Sequence, residues 1–177
     1  MTRMWTRPRP EEGPDYYLRA AGRVPDGDLP ETALAEMRTL RARLAELSED
    51  DADRAYAPGK WSVKEVVGHL SDVERVMAFR MLHFARKDRA PLPGMDQDPW
   101  AAAAGHRRRS LASLLDELDT ARAATVSLLR SFGEDELGAW GEASGVRFTV
   151  RALAWFTLGH AVHHRRILEE RYLRLPA

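Results

Sequence analysis

The chain has 177 residues, which suits one domain with a full core. Its 27 basic and 27 acidic residues cancel, which argues against nucleic acid as a partner, since that would call for a net basic face. There is no cysteine, so disulfides, thiolate metal ligands and a cysteine nucleophile are excluded, and any metal must use imidazole, carboxylate, backbone oxygen or water.

No apolar run approaches the roughly 18 residues that span a membrane. The start, MTRMWTRPRP, lacks the apolar segment of a signal peptide, so the expected location is the cytoplasm, with no membrane partner. Residues 1–30 are crowded with prolines and read as an extended N-terminal arm. Trp5, Tyr16, Tyr17, Leu18 and Val24 could dock it on the body. Residues 31–177 form the rest of a single domain.

A first helix is expected over 31–47, where Leu34, Met37, Leu40, Leu44 and Leu47 recur at helical spacing. A second starts at Ser62, which makes a capping box with Glu65, and runs to about Lys87. Pro91, Pro93 and Gly94 break it, and a short helix near 97–105 follows. A third covers 108–131, with Gly133 as its C′ residue. A loop with a short turn leads to the last helix; VRFTV at 146–150 is the one stretch with strand character. Thr149 caps that helix, which ends near Tyr172. Four long helices joined in this way make an all-α four-helix bundle.

Three of the six histidines lie in GHAVHH, residues 159–164. At about 100° per residue with His160 at zero, Leu153, Phe156, Ile167 and Val150 define an inward arc from about −40° to 80°. His164, at about 40°, lies within it, and His163, at about −60°, lies at its margin. His160 and His164 are thus an inward i, i+4 pair, one turn apart and able to share one ion. An inward pair needs a third ligand. His69, at the edge of the second helix's apolar arc, is the candidate, with Asp72 one turn on as an acceptor that could orient an imidazole. Each histidine alone is more simply a hydrogen-bonded core residue; the three together carry the metal reading. His83 and His106 have no pattern around them and read as structural. Three neutral imidazoles without thiolate form an open site of catalytic type, suited to Zn²⁺ or Ni²⁺.

Trp155, Leu158, Val162 and Leu173 form a second apolar stripe, between about 160° and 220°, opposite the histidines. Either the N-terminal arm or a partner subunit must cover it, and a homodimer is expected.

Two stretches carry a family resemblance. Trp61, Ser62, Glu65, His69, Leu70, Asp72 and Glu74 match a Trp-Ser-x-x-Glu-x-x-x-His-Leu-x-Asp-x-Glu pattern, and TVRALAWFTLGHAVHHRRILEERY matches a terminal helix with His-x3-His. Both resemble the DinB-like superfamily, in particular its YfiT-like branch, over most of residues 22–173. The resemblance implies a bundle in up-down-down-up order and a divalent metal held by His69, His160 and His164. It also implies a dimer, and an enzyme that is either a hydrolase or a thiol S-transferase using bacillithiol, mycothiol or glutathione. On the enzyme reading, the metal activates a water or a thiol toward a small-molecule substrate. Asp72 could serve as a base or orienting group, though a solvated helix carboxylate is an equal reading. Arg80, about three turns beyond His69, could meet an anionic substrate group or pair with an acid at the core rim. Trp61 either walls a pocket or staples the helix start. The alternative is a non-catalytic metal-binding stress-response protein on the same bundle, or a metal-free bundle with buried histidines. A deep pocket beside the metal separates the first reading from the others.

Overall fold

The computed structural model describes residues 5–173. Four long helices build the bundle: α2 (Leu29–Leu44), α4 (Val63–Ala85), α6 (Leu111–Ser131) and α8 (Val150–Ile167). Short helices α1 (Asp15–Ala21), α3 (Glu49–Ala52), α5 (Gln97–Ala104) and α7 (Glu134–Leu137) lie between them. The long helices run up-down-down-up; α4 packs on α6 and α8, and α2 packs on the same two. The α4–α8 contact is the one that matters for the site, because it faces His69 toward His160 and His164.

The ends of the long helices follow local chemistry. Ser62 accepts from the Glu65 amide at 3.3 Å while Glu65 Oε2 accepts from the Ser62 amide at 2.7 Å, the expected capping box. Thr149 Oγ1 accepts from the Ala152 amide at 3.1 Å and starts α8. Asp28 and Ser110 do the same for α2 and α6. The last turn of α8 loosens into a π-helical turn, Leu168–Tyr172. Gly133 is not a left-handed C′ residue: its φ of −87° and ψ of −178° are extended, and it precedes α7 as its N-cap. The chain leaves α6 through Phe132, a fully buried side chain whose packing sets the exit direction.

Before α8 the expected loop is a β-hairpin, β1 (Trp140–Ala143) with β2 (Val146–Thr149). Its two-residue turn, Ser144-Gly145, has φ of 56° and 72°, the positive values a type I′ turn demands. Leu92 pairs with the hairpin through its amide to the Glu142 carbonyl and its carbonyl to the Ser144 amide, tying the α4–α5 connection to the turn.

The N-terminal arm is not extended throughout. Asp15–Ala21 form the two-turn α1, and α1 lies along α8. Gly159 allows the close crossing: a Cβ there would stand 2.0 Å from the Ala20 carbonyl oxygen. Trp155 Nε1 donates to the Thr6 carbonyl at 3.0 Å, and the Arg7 guanidinium lies 4.7 Å over the Trp155 ring. Trp155, Leu158 and Val162 are all buried in the same core cluster as Ala20, Ala21 and Val24. Trp155, Leu158 and Val162 of the second apolar stripe are therefore covered by this chain's own arm, whereas Leu173 packs against the other core cluster. No helix among the described residues is long and apolar enough to cross a membrane.

Candidate metal centre

The three histidines singled out by angular placement converge. His69 on α4 and His160 on α8 are buried, and His164, one turn along α8, is half-buried. His69 Nε2 stands 3.3 Å from His160 Nε2, and His164 Nε2 stands 3.1 Å from the same atom. The three ligand atoms all lie within 4.8 Å of one another. Two imidazole nitrogens bound to one ion at about 2.0–2.1 Å stand roughly 3.0–3.4 Å apart, so these separations are those of a shared coordination sphere.

The chemistry of the donor set also fits a cation. A neutral imidazole has one in-plane lone pair, so His160 Nε2 cannot make good hydrogen bonds to two neighbouring Nε2 atoms at once. One ion satisfies all three lone pairs. Burial keeps the three imidazoles neutral, the protonation state in which each has a lone pair to give. It lowers His69 to about 4 and His164 to about 3, and pushes His160 well below the ordinary histidine value; the neighbouring histidines add to the effect. His163, at the margin of the helix face, is outside the cluster.

Around the histidines the chain builds two cavities. One, of ≈ 310 Å³, is lined by His164 with Tyr56, Lys60, Trp61, Asp98 and Tyr172. The other, of ≈ 160 Å³, is lined by His69 and His160 with Tyr17, Phe156, Arg80 and Ser144. Gln97, the first residue of α5, lines both. Trp61 is a wall as well as a helix-start residue: its ring lies 4.7 Å from that of His69, and its carbonyl accepts from the Tyr172 hydroxyl.

Asp72 is the candidate that the structure moves elsewhere. Its Oδ2 lies 3.6 Å from His106 Nε2, and His106 is buried against Gly68, where a Cβ would meet its ring at 2.3 Å. Asp72 is thus set toward the α5–α6 connection and not toward the α8 histidines. His164 Nδ1, which an orienting acceptor would serve, is buried without a hydrogen-bond partner among the described residues. His83 bonds the Ala90 carbonyl, as a structural histidine does. Arg80 does border the histidine cavity. Tyr17, expected only to dock the arm, and Gln97, in a short connecting helix, were missed as cavity residues. Phe156 was detectable, since it shares the inward arc of α8 with His160.

Fold and site together define a four-helix bundle with a three-histidine centre of metal-binding type. The sequence profile of the DinB superfamily matches residues 32–168, and the chain belongs to that superfamily. A protein of Oceanobacillus iheyensis, provisionally named a metal-dependent hydrolase, is 30% identical over 73 residues; the match covers 38% of this chain and 42% of that relative's length. YfiT from Bacillus subtilis, described as a probable metal-dependent hydrolase with an unusual four-helix bundle topology, shares the fold with a TM-score of 0.72. That similarity covers 96% of this chain and 93% of YfiT at 17% identity.

Proposed function

We propose that this protein is a metal-dependent enzyme in which His69, His160 and His164 hold one divalent ion, Zn²⁺ or Ni²⁺, beside an open substrate cavity. The observation that carries the reading is the convergence of three neutral imidazoles through their Nε2 atoms, with two cavities adjoining them. When bound, such an ion supplies Lewis-acid activation of a water or of a low-molecular-weight thiol.

The residues of the chain divide the remaining work. The imidazoles stay neutral at pH 7 because they are buried, so they offer lone pairs without proton loss on binding. Trp61, Phe156 and Tyr17 wall the centre with ring surface and limit water around it. Gln97 stands where the two cavities meet and offers an amide to a substrate entering from either side. A non-catalytic metal protein would have no need of cavities adjoining its ligands. The hydrolase names of the relatives support hydrolysis, and S-transfer from bacillithiol, mycothiol or glutathione is the competing reaction.

Protein purified without a histidine tag should contain close to one equivalent of metal, and His160→Ala should contain almost none. Metal-loaded protein should then accelerate either ester or amide hydrolysis or the consumption of a thiol by an electrophile such as monochlorobimane. Absence of metal, together with no rise in melting temperature on adding Zn²⁺ or Ni²⁺, overturns the proposal.

A further inference from the structure

The buried cations of the bundle differ in what meets their charge. Lys64 pairs with Glu49 at 2.7 Å and Asp53 at 3.1 Å, and Arg122 pairs with Glu74 at 2.9 Å. Arg80 is only 3% exposed, yet its acceptors are neutral: Nη2 donates to the Pro93 carbonyl at 2.9 Å and to Ser144 Oγ at 3.1 Å. Among the described residues, no carboxylate lies within ion-pair distance of it. A guanidinium does not shed its proton in a protein, so burial cannot neutralise it. A buried charge without a counter-charge is strongly unfavourable and marks a place where an anion belongs.

The position of this side chain gives the anion a use. Arg80 lines the ≈ 160 Å³ cavity that also holds His69 and His160. It also lines a ≈ 370 Å³ cleft whose walls include Val76, Phe79, Leu92, Met95 and Trp100. Its guanidinium is held in place, since Nη2 is anchored on one side by the α4–α5 connection and on the other by Ser144 in the hairpin turn. The hydroxyl of Tyr17, brought by α1, lies against the same guanidinium.

We infer that Arg80 is the anion seat of the metal cavity and that the substrate is a small molecule with a terminal carboxylate, its apolar part in the adjoining cleft and its reacting group toward the three histidines. This rests on the metal-site reading above. His69 and Arg80 are eleven residues apart on α4, about 16 Å along the axis, and an arginine side chain leaning toward the helix N-terminus shortens the gap. The carboxylate and the reacting group are then on the order of 10 Å apart. One guanidinium matches one negative charge. A phosphomonoester, at about −1.5 to −2, would leave excess charge in an apolar cleft. Of the other charged residues around the cleft, the exposed Arg75 shares Glu117 with Arg109, and Asp72, 3.6 Å from His106 Nε2, adds a carboxylate that disfavours a dianion further.

Calorimetric titration of hexanoate, hexanamide and hexyl phosphate into metal-free and Zn²⁺-loaded protein tests this. Wild type should bind hexanoate at millimolar concentration in both forms, at least tenfold more tightly than hexanamide. Arg80→Met should bring hexanoate down to the level of the amide while leaving Zn²⁺ affinity unchanged. Arg80→Lys, which keeps the charge and is the safer variant to fold, should lose threefold to tenfold. Equal binding of hexanoate and hexanamide by wild type, or undiminished hexanoate affinity in both variants, overturns the proposal, as does binding that requires Zn²⁺ and ignores Arg80. Hexyl phosphate binding tenfold more tightly than hexanoate overturns the carboxylate assignment. Failure of wild type to bind Zn²⁺ would defeat the metal reading alone, because the metal-free titration reads Arg80 independently.

Discussion

Replacing Gly159 with alanine should detach the N-terminal arm while leaving the metal ligands in place. The added Cβ would stand 2.0 Å from the Ala20 carbonyl oxygen and 2.4 Å from its carbon, both backbone atoms that cannot rotate away. An ordinary contact needs about 3.4 Å or more, so α1 must retreat by roughly 1.4 Å or lift off. Retreat uncovers part of Trp155, Leu158 and Val162, which are now buried. Losing about half the burial of three such side chains costs roughly 2–4 kcal/mol. Alanine returns up to about 1 kcal/mol through its helix propensity. The net loss is about 2 kcal/mol, and at about 2–4 °C per kcal/mol for a chain of this size the melting temperature should fall by roughly 4–8 °C. Scanning calorimetry measures that fall, and Trp155 fluorescence should shift to the red as water reaches the ring. Zn²⁺ stoichiometry should be unchanged, because α4 and α8 hold the histidines. A melting temperature equal to or above that of wild type would refute the packing of α1 on α8.

Zn²⁺ at about a thousand times its dissociation constant should stabilise wild type by about 4 kcal/mol, or about 10 °C, and should do nothing for His160→Ala; equal shifts in both would refute the site. The metal-free protein should lose stability as pH falls below 6.5. Because burial depresses His69 to about 4, the unfolded chain binds the extra proton between those values, so stability is full above 6.5 and declines toward pH 4, by about 3 kcal/mol for His69 alone. Urea unfolding across that range checks it, and a flat profile would mean the imidazoles are not buried neutral. Glu74→Leu should cost about 3–5 kcal/mol by orphaning the Arg122 guanidinium, whereas Glu74→Leu with Arg122→Met should recover most of the loss. Equal cost for the single and double variants in urea melts would contradict an isolated buried pair.

Local pattern was enough for the four long helices and for the convergence of the three histidines. A 3.6-residue period reports which side of a helix turns inward, and His160 and His164 share that side of α8 with Leu153 and Phe156. The side chains that cap helices act within four residues, so Ser62, Glu65 and Thr149 marked true starts. Periodicity does not report what lies opposite a face. Trp155, Leu158 and Val162 demanded a cover, and only the folded chain shows that α1 supplies it through the close approach at Gly159. Asp72 shared a flank with His69, but the neighbour on that flank is His106 from the α5–α6 connection, a contact between segments more than thirty residues apart. Tyr17, Gln97 and Ser144 come to the cavity from an arm, a connector and a turn, none of which has a period to read. That Arg80 meets only neutral acceptors among the described residues is likewise a fact of tertiary structure, because a sequence shows an arginine but not what surrounds it.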